Sequence, residues 1–444
     1  MNARTALFPL LLTVALALAP AAARAQEPMA LTLDEAVSRA LEASHQMAEG
    51  RAREAGARAT VELRRTADQP IVQVTGGYTR TNHIDEFGIS TPGAPPRIIY
   101  PDLPDNVTSR VSLAWPIYTG GRTDALERAA EAEARATAAD IEITRADLKL
   151  EVTRAYWAYA TAVDAARVIE EALKRADQHL ADVRNRLDVG LVPPNDVLSA
   201  EAQRARQQMQ LIEARNQRDA AAIDLRRLTG MAEGQAIQLA PLSGRGDEPD
   251  EASRAGDLVT AALDARPERR ALQIRIEGAE ARQEAAAAGR RPTVALAGGV
   301  DYANPNPRIF PREDKWQTSW DVGVNVSWSL WDAGRTRAEA AEAAAAATAV
   351  RERLAELDTR VAADVRQRLL DIDSSRAAID AAEAGRRAAA EALRVVNERY
   401  RAGVATNTDV LDAEVALLES ELDRTRAIAN LRLAEARLDR TVGR

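Results

Sequence analysis

The chain has 444 residues, a formal net charge of −8 and no cysteine. The missing thiols exclude disulfides, thiol catalysis and thiolate metal ligands, and the acidic balance argues against a nucleic-acid partner. Aromatic residues make up only 4% of the chain, while alanine, glutamate and arginine are abundant. This composition favours long helices over a compact mixed domain.

Residues 1–25 are predicted to be a secretory signal peptide that is not part of the fold. Arg4 precedes an apolar stretch from Ala6 to Ala19, and Ala23-Arg24-Ala25 has the small-residue pattern at which such peptides are cleaved. The apolar stretch is too short to span a membrane, and no later stretch reaches the roughly 20 apolar residues of a transmembrane helix. We therefore expect an exported chain without a helical anchor.

The mature chain is predicted to consist of two similar halves. The motif at Trp115–Thr123 recurs 213 residues later at Trp328–Thr336, and the same spacing relates Gly190 to Gly403. Self-similarity that keeps its register over such a length indicates a duplicated structural unit. The predicted division is a first repeat at 26–231, a linker at 232–255 and a second repeat at 256–444.

Each half is predicted to contain the same elements in the same order. A helix of about 35 residues comes first, and in the first half it begins at Thr32 with Glu35 in position for a capping box. Two strands separated by a loop follow, then a very long helix, a tight turn and a return helix. The long helices are predicted at 122–188 and 335–401, and 67 residues correspond to about 100 Å.

Apolar residues at alternating steps of three and four predict coiled-coil packing of these helices. The seam on the first long helix comprises Val152, Ala155, Tyr159, Ala162, Ala166, Ile169, Leu173, Ala176, Leu180, Val183 and Leu187. The seams on the return helices comprise Leu198, Ala202, Ala205, Met209 and Ile212, and Leu411, Val415, Leu418 and Leu422. We interpret all of these seams as structural, because they would pack against neighbouring helices and carry no chemistry.

Four short segments alternate between apolar and small or polar residues. Their apolar positions are Val72 and Val74; Val111, Leu113, Trp115 and Ile117; Val294 and Leu296; and Val322, Val324, Val326, Trp328 and Leu330. This alternation is typical of strands that meet lipid on one face and water on the other. Aromatic residues near the strand ends would form an interfacial belt, namely Trp115, Tyr118, Trp316, Trp320, Trp328 and Trp331.

The alternative for these strands is a small soluble sandwich with the aromatic residues in its core. Four strands that interrupt a coiled coil are too few for a self-contained core. They are also too few to close a membrane barrel, and an open sheet edge is not tolerated in lipid. If these strands span a membrane, several protomers would therefore have to combine their strands in one closed barrel.

The repeat order and two motifs, at 115–122 and 400–413, resemble the TolC-type outer-membrane factors. The resemblance covers nearly the whole mature chain. It implies a mainly α fold with a small β part. Two tandem repeats would build a long helical coiled-coil barrel, and each protomer would add four membrane strands to a 12-stranded β-barrel shared by a homotrimer.

The resemblance also implies a function and partners. The protein would be a passive exit duct in the outer membrane, in contact with its lipid and with a long periplasmic extension. It would serve efflux or type I secretion with a periplasmic adaptor and an inner-membrane pump of the RND, ABC or MFS type. The adaptor would dock on the helix tips, at Gly190, Leu191, Val192, Pro193, Gly403, Val404, Ala405 and Thr406.

A gate at the helix tips is a further implication of the resemblance. Asp409 and Asp412 match a carboxylate ring at the periplasmic mouth, which would favour cations. Asp196 and Tyr400 match a carboxylate and a tyrosine that bond between helix tips and hold the mouth shut. Ala405 stands where the best-known gate has an arginine, so one closing contact is missing.

The residues alone leave a plainer account of these aspartates open. Asp196 and Asp409 could simply cap the return helices, since an acid at a helix start is stabilising without any further function. Asp412 lies one helical turn further in, where the capping account no longer reaches.

No motif in the sequence indicates an enzyme, a cofactor or a metal site. The histidines His45, His83 and His179 are scattered, and there is no phosphate loop, dinucleotide motif or G-x-S-x-G. Two other functions remain open. An exported coiled-coil spacer or surface fibre would explain the helices but not the repeated strand pairs. A periplasmic adaptor would have one hairpin between lipoyl-like β halves, which this chain lacks. The sequence does not indicate the cargo.

Overall fold

The computed structural model describes residues 29–93, 95–233, 237–239 and 255–443. The predicted signal peptide and most of the predicted linker lie outside these residues. The described elements are, in chain order, β1 (Met29–Leu31), α1 (Leu33–Ala43), α2 (His45–Arg65), β2 (Ile71–Arg80), β3 (Phe87–Ile89), β4 (Arg97–Tyr100), β5 (Asp105–Tyr118), α3 (Arg122–Asp188), α4 (Pro194–Thr229), β6 (Ile237–Leu239), α5 (Ala255–Ala265), α6 (Pro267–Ala287), β7 (Thr293–Asn304), β8 (Gln317–Ser327), α7 (Arg335–Arg401) and α8 (Asn407–Val442).

The two long helices are confirmed. Helices α3 and α7 each contain 67 residues with the predicted bounds, and the return helices α4 and α8 each contain 36. None of the described helices is apolar over a stretch long enough to cross a membrane.

The first helix of each half is broken, contrary to expectation. That of the second half is interrupted at Arg266, which has an extended backbone before Pro267, and that of the first half is not continuous either. It is divided at Ser44, which ends α1 with an extended backbone and caps α2 by accepting a hydrogen bond from the main-chain nitrogen of Met47 at 3.3 Å. Serine competes with the helix by offering its own acceptor to the main chain, which favours a break at this position. The predicted capping box at Thr32 and Glu35 is present.

Helix α3 lies at the centre of the protomer. It packs against α2 and α6 along its first half and against α4 and α8 along its second half. Helix α7, which is equally long, packs against α6, α8 and the short α5. Twenty-one residues of α3 are buried but only nine of α7, so α7 leaves one long face uncovered in the single chain.

The predicted seam of α3 is confirmed, whereas the predicted seam of α4 does not pack against another helix of the same protomer. Val152 and Val183 of α3 are fully buried. On α4, the predicted seam residues Leu198, Met209 and Ile212 are 59–63% exposed. A second stripe packs on α3 instead, formed by Val197, Ala200, Gln203, Gln207, Leu211, Ala214, Ala222 and Leu225. Helix α4 thus has two stripes, and periodicity alone did not show which of them meets α3.

The four predicted strands form one antiparallel sheet in the order β2-β5-β7-β8. The apolar residues share one face, since Val72 pairs with Leu113 and Leu296 pairs with Val324. Strand β8 ends at Ser327, so the prediction that Trp328 and Leu330 belong to the strand is wrong. Small and polar residues occupy the other face, as predicted.

Equivalent tryptophans join this sheet to the helices in both repeats. The indole nitrogen of Trp115 donates to the main-chain oxygen of Asp68, and that of Trp328 donates to the oxygen of Arg290, each at 3.0 Å. Both acceptors lie in the short 3₁₀ turns that follow α2 and α6. Each indole therefore satisfies a carbonyl at a helix end and fixes the sheet on the helical part.

A waist of the molecule lies around β1 and β6, a parallel pair that the sequence did not predict. Tyr156 of α3 donates to the main-chain oxygen of Leu31 at 3.1 Å, and Tyr159 donates to that of Ile237 at 3.3 Å. These bonds attach both strands to α3, about halfway between the sheet and the hairpin tips.

Candidate gate at the helix tips

The two hairpin turns have the same construction. Gly190 lies two residues beyond the end of α3, and Gly403 lies two residues beyond the end of α7. Their φ angles are 76° and 78°, a left-handed conformation that glycine adopts without strain. The main-chain nitrogen of Leu191 donates to Arg186 O at 2.8 Å, and that of Val404 donates to Arg399 O at 2.9 Å. These bonds satisfy the last carbonyls of each long helix, as expected for a Schellman-type end.

The predicted docking residues form two exposed apolar tips. Leu191 is 72% exposed and Val404 is 62% exposed. Exposed residues among the others are Gly190, Pro193, Gly403 and Thr406, while Val192 and Ala405 are half-buried. Large apolar side chains that stay exposed at the end of a coiled coil do not stabilise the fold by burial. The tips are therefore candidates for contact with a partner.

Tyr400 is buried beneath the tips at 6% exposure. Its ring packs with a cluster that includes Val183, Val197 and Val410, so it belongs to the core that joins both hairpins. Burial raises the pKa of its phenol. The hydroxyl has no hydrogen-bond partner within the described residues, so the expected bond to Asp196 is not formed in this protomer.

Arg186 is a tip residue that the sequence analysis missed. Its guanidinium lies 4.4 Å from the centre of the Tyr400 ring, and its Nη1 donates to Tyr400 O at 3.2 Å. A cation over an aromatic face is stabilising. The repeat could have indicated Arg186, because the 213-residue spacing makes it the counterpart of Arg399, which also lies near a helix tip. Ala405 of the second hairpin stands where the best-known gate has an arginine, and Arg186 of the first hairpin places a cation in the same region.

The aspartates at the starts of the return helices differ in role. Asp409 forms a capping box with Thr406, accepting from its main-chain nitrogen and its hydroxyl at 2.8 Å each. These bonds lower the pKa of Asp409. Asp196 is the half-buried third residue of α4, whose N-cap is Pro193 and has no side-chain capping bond. Asp412 is exposed one turn into α8.

A buried hydrogen bond joins the two hairpins just behind the tips. His179 Nε2 of α3 lies 2.7 Å from Asn407 Oδ1 at the start of α8. The amide nitrogen of Asn407 donates to Asp196 O at 3.2 Å. Burial lowers the pKa of His179, which favours the neutral ring. The sequence analysis treated His179 as an isolated histidine, because its partner is 228 residues away.

Polar contacts continue along the α3–α8 seam away from the tips. Arg175 pairs with Glu421 at 3.0 Å, and Thr425 donates to Asp164 at 2.6 Å. Glu414, at 5% exposure, is buried in this seam, and burial raises its pKa to about 7. One oxygen of the Glu414 carboxyl has no hydrogen-bond partner within the described part of the chain. This seam between the hairpins therefore contains buried polar side chains beside the apolar residues, such as Val410 and Leu418, that α8 packs on α3 and α4.

Comparison with known proteins identifies the family. The family model described as outer membrane efflux protein matches residues 36–231 and 258–444. The outer membrane protein TolC of Vibrio cholerae is 24% identical over 380 residues, which cover 85% of this chain and 83% of that protein. The protein CyaE of Bordetella pertussis is 27% identical over 421 residues, which cover 91% of this chain and 84% of that protein.

Solved structures share the fold. The outer membrane protein VceC of Vibrio cholerae superposes with a TM-score of 0.75 at 19% identity, over 93% of this chain and 96% of that chain. The outer membrane channel CmeC of Campylobacter jejuni gives 0.75 at 16% identity, over 93% and 85%. The family match covers both repeats, so the chain belongs to the outer membrane efflux protein family and is a non-enzymatic protein of the Gram-negative outer membrane.

Proposed function

We propose that this protein is the exit duct of a tripartite efflux or type I secretion system. Three copies would share one 12-stranded membrane barrel and one periplasmic helical tunnel. The repeats at 26–231 and 256–444 would each provide one hairpin and two strands per protomer. The duct would be passive, and the driving energy would come from the pump.

The sheet carries this proposal. Its apolar face is exposed over all four strands, with Val74, Trp320 and Val326 each 67–73% exposed. Strands β2 and β8 are the two edges of the sheet and have no further partner strand in the described residues. An apolar face needs lipid or protein against it, and open edges need pairing strands. Copies joined edge to edge in a bilayer satisfy both requirements.

The helices support the same assembly. The predicted seam of α4, from Leu198 to Ile212, is exposed in the single chain and has coiled-coil spacing, and α7 leaves one long face uncovered. Helix α4 packs on α3 alone for most of its length, and α7 ends the helix series on the other side of the protomer. These two edges are therefore suited to pack on each other across a protomer boundary and close a tunnel.

We propose that the tips gate this tunnel. Asp409 and Asp412 are exposed near the helix tips, and three copies would create a strongly acidic rim at the mouth that favours cations. Capping by Asp409 is compatible with this role, because a capping carboxylate keeps its charge. Asp196 and the hydroxyl of Tyr400 would bond when the mouth closes. The exposed tips at Leu191 and Val404 would receive the periplasmic adaptor, which in turn would dock on an inner-membrane pump.

A coiled-coil spacer or surface fibre remains the competing proposal. It accounts for the hairpins but leaves the exposed apolar face and both open edges of the sheet without a purpose. A spacer would also remain soluble without detergent, whereas a barrel protein would not.

Single-channel conductance in planar bilayers tests the proposal. We would compare the wild type with Asp196→Ala/Tyr400→Phe, and with Glu419→Gln as a control on an exposed acid two turns beyond Asp412. We expect cation-selective steps that grow in the double variant and are unchanged in the control. Asp409→Asn/Asp412→Asn should reduce cation selectivity, since asparagine retains the cap but not the charge.

The outcomes separate the channel from its gate. Equal steps in the wild type and the double variant would keep the channel and refute this gate. A folded protein that stays soluble without detergent and never conducts would refute the channel itself and favour the spacer.

A further inference from the structure

A cluster of four charges lies on the small and polar face of the sheet, at the end far from the helices. Arg110 of β5 donates to Asp301 of β7 at 2.6 Å, and its other terminal nitrogen lies 2.9 Å from Asp321 Oδ1 of β8. Gly299 makes room for this guanidinium, because a Cβ at that position would lie 2.7 Å from Arg110 Nη2. Three strands are thus linked by one arginine side chain.

The fourth charge comes from the loop at 305–316, which joins β7 to β8. Arg308 Nη2 lies 2.7 Å from Asp321 Oδ1, and Arg308 Nε lies 3.6 Å from Asp301 Oδ2. Arg308 therefore reaches from the loop to the same two carboxylates that Arg110 holds. The loop bends back over the polar face of the sheet instead of extending away from it.

Asn306 fixes this inward course of the loop. The side chain is fully buried and donates to Gln317 O at 2.9 Å, and it also bonds to Ser319 Oγ. Its own oxygen accepts from the main-chain nitrogen of Arg308 at 3.0 Å. Ser319 pairs with Asp301 in the sheet and so lies on the polar face. The bend is therefore anchored on the side of the sheet that carries the charge cluster.

We propose that Arg308 latches the 305–316 loop across the outer mouth of the duct. This inference rests on the proposed function, in which the polar face lines the lumen and three loops project into it. The four charges of the cluster cancel, so the constriction selects solutes by size and not by sign. It lies at the opposite end from the helix tips. The ion pair is partly exposed and therefore weak, so it favours the closed position of the loop beyond Asn306 without locking it.

Cysteine labelling from outside intact cells tests the latch, because the reagent would reach the barrel from the outer side and would not have to pass the helix tips. The chain has no native cysteine, so single cysteines can be introduced on a clean background. Asn325→Cys lies on the polar face of β8, closer to the helices than the cluster, and Val324→Cys lies on the apolar face. Each is treated with a small charged thiol reagent and with a bulky polyethylene-glycol maleimide.

The latch variant is Arg308→Gln, and the matched control is Arg312→Gln. Arg312 is exposed in the same loop and forms no ion pair within the described residues. We expect Arg308→Gln to accelerate labelling of Asn325→Cys by the bulky reagent by up to about five-fold. An exposed ion pair changes the equilibrium between the closed and open loop by no more than about that factor. Labelling by the small reagent should be unchanged, as should both rates in the Arg312→Gln control.

Each result has a distinct meaning. Labelling of Val324→Cys in place of Asn325→Cys, or of neither, would overturn the lumen assignment and with it the proposed barrel. Labelling of Asn325→Cys at equal rates in the wild type and Arg308→Gln would overturn the latch alone. Equal acceleration by Arg312→Gln would also overturn it, because a general effect of loop charge would then suffice.

Discussion

Glu414 is expected to destabilise the protein at neutral and alkaline pH, so replacing it with glutamine should stabilise the fold. The carboxyl is buried in the α3–α8 seam, with one oxygen unpartnered and Arg175 nearby. Burial raises its pKa from 4.5 to about 7. A raised pKa means that the neutral form fits the folded state, so stability declines as pH rises from 4.5 through 7. The accumulated cost above pH 7 is about 3 kcal/mol.

Thermal unfolding in detergent at several pH values measures this effect. For a chain of this length, about 3 kcal/mol corresponds to roughly 3 °C in the unfolding midpoint. Glu414→Gln should therefore raise the midpoint by that amount at pH 8 and by almost nothing at pH 4.5. The matched control is Glu201→Gln at the equivalent position of the first repeat. Glu201 has a 42% exposed side chain and pairs with Arg184, so its substitution should have little effect.

An effect of Glu414→Gln that is the same at both pH values would refute this reasoning. It would mean that packing or hydrogen bonding of the amide is responsible and not the titration of the carboxyl. A lower midpoint at pH 8 would show that the charged carboxylate is stabilised, for example by Arg175, more strongly than burial disfavours it.

Two further predictions concern the tips. Thr406→Ala removes the cap of α8 and should destabilise the protein by about 1 kcal/mol, seen as a lower unfolding midpoint, whereas Thr408→Ala on the exposed neighbour should not. His179 has a lowered pKa, so the stability it provides is present above pH 6.5 and is lost as pH falls through the folded-state pKa. His179→Gln should therefore reduce the loss of stability on acidification, relative to the wild type, while His45→Gln at an exposed position should leave the loss unchanged.

The long-range order of the fold could be predicted from the sequence because its signals are repeated. The 213-residue spacing and the glycines at Gly190 and Gly403 fixed both ends of the long helices correctly. Two local features escaped prediction for a physical reason. The break at Ser44 depends on one capping bond, and helix α4 has two stripes of similar periodicity. A pattern shows that a face can be buried but not which neighbour buries it.

The tip residues were predictable only in part. The motif around Tyr400 located the correct region, and the plainer capping account of Asp409 is confirmed beside the proposed gate. Arg186, His179 and Asn407 were missed as a group. Their contacts join residues more than 200 positions apart, and no spacing within one hairpin indicates them. Only the packing of the first hairpin against the second brings these side chains to their partners.

The divergence between the repeats indicates where the tips can move. Leu187, Pro194 and Glu201 of the first repeat correspond to Tyr400, Asn407 and Glu414 of the second. Tyr400, Asn407 and Glu414 all lie in or beside the contact between the hairpins.

Helix α3 packs more extensively on α4 than on α8, and α8 packs more extensively on α7 than on α3. Separating packed apolar surface costs about 25 cal/mol per Å². Movement of one hairpin against the other therefore costs less than opening either hairpin. A mouth that must open without unfolding its walls would be expected to separate along the α3–α8 seam, where the two copies of the repeat have become different.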